Sequence, residues 1–135
     1  MLRIEVGDLA FGAKLEQGAR DTAAAFARLL PLETRIIHVR WSGEACWIPS
    51  GDLDVGVGPE NATSYPAPGE LLLYPGGVSE TEVLLAYGPT SFASKAGALA
   101  GNHFATVVHG NEQLRELGHR TLWEGAQPIK VTERA

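Results

Sequence analysis

The sequence predicts a mainly β fold, a closed or nearly closed β-barrel with two flanking α-helices, in a single domain spanning residues 1–135. Three observations carry this reading. Short apolar runs, several with period-two alternation, recur along the chain and are bounded by turn residues. Sixteen glycines and eight prolines among 135 residues supply those turns. Helical periodicity is confined to two segments, one near each end.

Composition narrows the function classes. The 44% hydrophobic and 20% charged content is that of an ordinary globular domain, long enough to bury a core without disulfides or metals. A net charge of −5 and the absence of any run of Lys or Arg argue against a nucleic-acid partner. The apolar runs fall far short of a membrane span. The lone Cys46 excludes an internal disulfide and fits a reducing cytoplasm. No signal peptide is expected ahead of the first strand.

Leu2–Val6 alternates as a strand, Gly7-Asp8 turns, and residues 10–16 return to complete a hairpin. A helix is expected over residues 18–30. Ala23, Phe26, Ala27 and Leu30 fall on one stripe, and Pro31 ends it. Residues 32–41 form a strand that meets residues 44–49 across Ser42-Gly43. A two-residue turn would pair Ile37 with Ile48 and put His38, Arg40 and Trp47 on one face; a bulge at Gly43 exchanges the faces. Both registers stay open. Residues 51–69 read as a long loop with at most a short strand at 53–57. Strands follow at 70–74, 81–87 and 102–109, with a further loop at 88–99. Asn111 is expected to cap a helix over 112–117 that resumes toward Trp123, and 128–132 forms the last strand. Tyr65-Pro66 and Tyr74-Pro75 are the pairs that favour a cis bond.

Several runs resemble one bacterial family. They include Arg40-Trp41-Ser42-Gly43-Glu44, Glu60-Asn61-Ala62-Thr63-Ser64-Tyr65-Pro66-Ala67-Pro68-Gly69-Glu70 and Leu73-Tyr74-Pro75-Gly76-Gly77. The segments Phe92-Ala93-Ser94-Lys95-Ala96-Gly97, Gly101-Asn102-His103-Phe104 and Trp123-Glu124-Gly125-Ala126-Gln127 continue the match over almost the whole chain. The family is the uncharacterised group known as domain of unknown function family 3830. The resemblance implies a cyclophilin-like fold. It implies no activity and no catalytic residues, and fold likeness transfers neither. The active-face pattern of true cyclophilins is not recognisable, which argues against prolyl isomerisation.

Candidate site residues come from the residues themselves. Arg40 suits gripping a carboxylate, with Glu44 orienting it or acting as a base; a plain cross-strand ion pair is the alternative. Glu80 and Glu82 sit two apart, and paired carboxylates can separate their pKa values for acid–base work; of the two, Glu80 is preferred. His103 is the histidine best suited to acid–base work or hydrogen bonding. No ligand-type spacing links the four histidines, so neither metal nor cofactor is expected. Trp47, Tyr65 and Tyr74 supply rings, Lys95 an anion anchor and Asn102 a polar contact. The catalytic candidates are therefore Glu44, Glu80 and His103. The ligand-binding candidates are Arg40, Trp47, Tyr65, Tyr74, Lys95 and Asn102.

The expected function is binding of a small polar or anionic ligand at a barrel mouth, where loops meet. The alternatives are an enzyme acting on a small carboxylate or amide, and an oligomerisation or interaction module, for which the 14.4 kDa size and acidic surface leave room. The condition for a pocket around Arg40, Glu44 and Trp47 is that residues 61–65, 74–80 and 95–103 converge on them.

Overall fold

A computed structural model describes residues 1–134. Eight antiparallel strands close into a barrel in the order β2-β1-β11-β3-β4-β7-β6-β10, and β10 pairs back with β2. These are β1 (Leu2–Val6), β2 (Leu9–Leu15), β3 (Leu32–His38), β4 (Gly43–Pro49), β6 (Glu70–Tyr74), β7 (Glu82–Thr90), β10 (Gly101–His109) and β11 (Gln127–Glu133). The expected mainly β barrel with two helices is therefore present, and closure leaves none of the eight strands with an open edge along its full length.

Alternation explains the interior. Leu2, Ile4 and Val6 point inward from β1 and Ile129 and Val131 from β11, joined by Phe11, Ile36, Leu71, Leu73, Leu85 and Val107. Helix α1 (Arg20–Ala27) follows a 3-10 turn at Gln17–Ala19 and sets Phe26 against Phe104 of β10, ring centroids 4.9 Å apart. Its buried face is Thr22, Ala23, Ala25 and Phe26, small enough to sit close to the sheet. Helix α2 (Leu114–Trp123) packs on β3, β4 and β7 and contributes Leu114 and Leu117.

Several expectations need correction. Residues 39–41 do not continue β3: Arg40–Ser42 is a 3-10 turn, and Gly43 takes φ +112 with the Pro89 carbonyl crowding the place of a Cβ. Ile37 pairs with Trp47 and His38 with Cys46, so the bulged register holds. His38 consequently faces inward with Cys46, while Trp47 faces outward, and His38, Arg40 and Trp47 do not share a face. No strand forms at 53–57; the loop instead contributes β5 (Ala62–Thr63), paired with the start of β10. The cis bond is Leu30–Pro31 rather than either Tyr-Pro pair. Asn111 begins a 3-10 turn, and its amide donates to the Val107 carbonyl instead of capping α2.

The expected loop at 88–99 is the correction that matters for the site. β7 runs on to Thr90, and the chain then folds into a miniature hairpin, β8 (Ala93–Ser94) with β9 (Gly97–Ala98). This flap lies on the outer face of β4, β7 and β6. There Phe92 and Leu99 join Val39, Ala45, Leu72, Tyr74 and Leu84 in a second apolar cluster, with Trp47 at its margin. That sheet region is covered on both faces, and so β6 and β7 read as continuous apolar runs.

Candidate functional site

The outward face of β4 and β7 carries Trp47, Leu84 and Glu82. Trp47 pairs with Leu84, and Glu82 lies opposite Pro49 and Tyr74. Trp41, projecting from the 3-10 turn before β4, meets Trp47 edge to face with centroids 6.0 Å apart and planes at 74°. Val78, Ser79 and Glu80 from the β6–β7 turn and Ser94, Lys95 and Ala96 from the flap complete a pocket of about 430 Å³ with Trp41, Trp47 and Glu82.

Each wall is held by specific contacts. Ser42 is buried and grips the flap twice: its hydroxyl donates to the Ala93 carbonyl (3.1 Å) and accepts from the Ala93 N–H (3.0 Å). Its carbonyl accepts from Ser91 N–H, and Phe92 N–H donates to the Ser64 carbonyl. The Tyr74 hydroxyl accepts from Val78 N–H (3.0 Å) and Ser79 N–H (3.4 Å), while its ring meets Phe92 edge to face. Tyr74 therefore braces the turn that carries Glu80. The Glu80 carboxylate accepts from Gly51 N–H at 3.1 Å, which ties this wall to the 50–54 loop.

Glu82 is the chemical centre of the pocket. The residue is only 3% exposed, yet none of the side-chain hydrogen bonds or ion pairs among the described residues involves its carboxyl. Burial, and then the neighbouring Glu80 carboxylate, push its pKa up to about 8. At neutral pH Glu82 is mostly a neutral acid, able both to donate and to accept. Lys95 stands exposed on the rim and forms no ion pair among the described residues.

The other sequence candidates lie elsewhere. Glu44 pairs with Arg115 of α2 through two bonds, 2.8 and 3.2 Å, which hold its carboxyl below the ordinary value. Arg115 also sits 5.3 Å over the Tyr87 ring. The Tyr87 hydroxyl and His38 Nε2 are 2.7 Å apart; burial and then the Arg40 charge keep His38 below its usual pKa, and its Nδ1 is buried without a partner. Arg40 is exposed and lines none of the Trp41–Trp47 pocket. Asn102 is fully occupied: its amide donates to Thr22 Oγ1 and the Gly58 carbonyl and accepts from Glu60 N–H, fastening α1 and the 56–60 loop to β10. His103 Nε2 lies 2.7 Å from Thr106 Oγ1, which donates to Glu16, and 3.8 Å from Glu70, on the outward face where Thr106 opposes Glu70 and Lys14. Tyr65 is exposed on the long loop.

Of the expected convergence, residues 78–80 and 94–96 reach the Trp41–Trp47 corner, whereas Asn102 and His103 do not. The pocket lies outside the barrel wall, between the sheet and the flap. Of the nine lining residues only Trp47, Glu80 and Lys95 were among the sequence candidates; of the other six, Trp41 and Glu82 matter most to the chemistry. The signal for Glu82 was present in its spacing from Glu80; Trp41 was assigned to the strand face rather than to a turn. No cluster of three or more His, Cys, Asp or Glu able to hold a metal is found among the described residues. No helix among them is long and apolar enough to cross a membrane.

Comparison with known proteins places the fold. The solved structure of McbB in complex with tryptophan superposes with a TM-score of 0.71 at 18% identity, over 100% of this chain and 45% of that one. The likeness shows a shared fold, and this chain spans less than half the length of that neighbour. No curated protein matches the chain. The family model described as Protein of unknown function (DUF3830) matches residues 2–133, and the chain belongs to that family.

Proposed function

We infer that this protein binds a small polar ligand in the pocket between Trp41, Trp47, Glu82 and Lys95. The observation that carries the reading is Glu82: a residue 3% exposed whose carboxyl has no protein hydrogen-bond partner and opens onto an aromatic-walled pocket. The protein leaves the hydrogen-bonding capacity of this carboxyl free, and a ligand entering the pocket can take it up in place of water. The tryptophan pair offers a flat apolar wall and Lys95 a charge at the rim, the mixture of apolar surface and few polar groups that small-molecule sites use. The closed barrel with two helices supports the cyclophilin-like reading of the fold, and the lone buried Cys46 fits a reducing, cytoplasmic setting.

The test is a thermal-shift screen with small acids, amides and amines, repeated on Trp47→Phe, Glu82→Gln and Lys95→Ala. A compound that stabilises the native protein should lose at least tenfold in affinity in Glu82→Gln or Trp47→Phe. Undiminished stabilisation of all three variants places the ligand elsewhere.

A second reading is an enzyme in which Glu82 acts as general acid beside Glu80. A carboxyl titrating near neutrality is suited to that role. It predicts turnover of a bound compound that disappears in Glu82→Gln while binding persists.

A further inference from the structure

We propose that the ligand of this pocket carries an ammonium group, which pairs with the Glu82 carboxyl beside the rings of Trp41 and Trp47. The proposal rests on the pocket reading above and names the chemical class of the ligand. Both carboxyls that line the pocket, Glu80 and Glu82, favour a cation. Aromatic rings add to this, because their faces attract ammonium groups. Lys95, without an ion partner among the described residues, complements a carboxylate elsewhere on the same ligand, so a small zwitterion matches both charges.

The pairing has a defined proton balance. The neutral Glu82 acid gives up its proton to solvent as the ammonium arrives, leaving a carboxylate–ammonium pair in place of an uncharged carboxyl. A carboxylate ligand requires the reverse, since it binds only while Glu82 keeps its proton. The groups facing Glu82 are few. Glu80 comes from the preceding turn and Lys95 from the flap. The Tyr74 hydroxyl on β6 is already accepting from Val78 and Ser79, and β4 presents the non-titrating Trp47. Asp52 and Asp54 lie across the adjoining groove with Glu80. Of these, Glu80 is the one whose charge is felt at Glu82, and it opposes the ionisation of Glu82.

Calorimetric titration of the native protein with butylamine, 4-aminobutyrate and butyrate, from pH 5.5 to 9 in buffers of different ionisation enthalpy, tests this. The two amines stay protonated through that range. Their affinity should rise about tenfold per pH unit well below pH 8 and level off above it, with close to one proton released per ligand at pH 7. 4-Aminobutyrate should bind more tightly than butylamine, and that margin should vanish in Lys95→Ala. In Glu82→Gln the pH slope and the proton release should both disappear. Tighter binding of butyrate than of either amine, weakening as pH rises, overturns the ammonium assignment while leaving the pocket intact. So does amine binding without proton release. If none of the three binds but other compounds in the thermal-shift screen do, the ammonium assignment fails alone. If nothing in that screen binds, the pocket reading fails with it.

Discussion

Glu82 shows how one residue ties stability to chemistry. Its pKa rises from an ordinary 4.5 to about 8 because folding removes it from water and sets it near Glu80. The folded state therefore holds this proton more tightly than the unfolded chain. Its effect on stability is constant below pH 4.5, becomes progressively unfavourable as pH rises toward 8, and levels off above. Each pH unit within that window is worth about 1.4 kcal/mol at most. Urea denaturation of Glu82→Gln and the native protein should give similar stabilities at pH 4 and a growing advantage for the variant up to pH 8. A constant gap would mean that folding leaves the pKa of this carboxyl unshifted. The pairing of Glu80 with Glu82 was legible from their spacing. Which of them is buried was not, because Glu80 falls in the turn and Glu82 at the start of β7, where only the neighbouring strand and flap decide what covers it.

At the scale of elements, the flap depends on Ser42, and α2 depends on Gly118. Ser42→Ala removes both hydroxyl bonds to Ala93 and should cost about 1–2 kcal/mol of stability in urea denaturation, with weakened ligand binding. Gly118 makes a sharper case because two effects oppose one another. Alanine is favoured over glycine inside a helix by about 1 kcal/mol. A Cβ at Gly118, however, would overlap the Tyr87 ring, which itself lies between His38 and Arg115. The ring is buried and held, so overpacking of about 1–3 kcal/mol should win and Gly118→Ala should lower the urea midpoint. Sequence patterning found the helix but not this contact. It also left Ser42-Gly43 open between a tight hairpin turn and a bulge, and two later segments decide for the bulge: the 89–90 backbone crowds Gly43, and Ala93 occupies Ser42.

The whole molecule divides into a closed barrel and a lightly attached flap. Barrel strands are paired on both sides, each with at least one neighbour through four or more residues, whereas β8 and β9 pair only with each other through two residues each. Amide hydrogen exchange should therefore be much faster across residues 94–98 than in β4, β7 and β10. A ligand held by Lys95 and Glu82 should slow exchange in the flap while leaving the barrel unchanged. Uniform protection along the chain without ligand would contradict this division of stability.

The sequence by itself determined the class of this fold. Alternating apolar residues, turn-forming glycines and two helical stripes are local signals, and each is set by the steric demands of a few neighbouring residues. They placed most of the strands and both helices to within a few positions, and long matching runs pointed to the family. Tertiary structure decided the register at Gly43, because a bulge depends on the 89–90 backbone that packs against it. It moved the pocket from the barrel mouth to the outer wall, since the barrel interior is filled by side chains and the flap covers an apolar outer face. It also brought Trp41, Glu82 and Lys95 together. Their proximity is the product of strand order and loop closure, which no local pattern encodes.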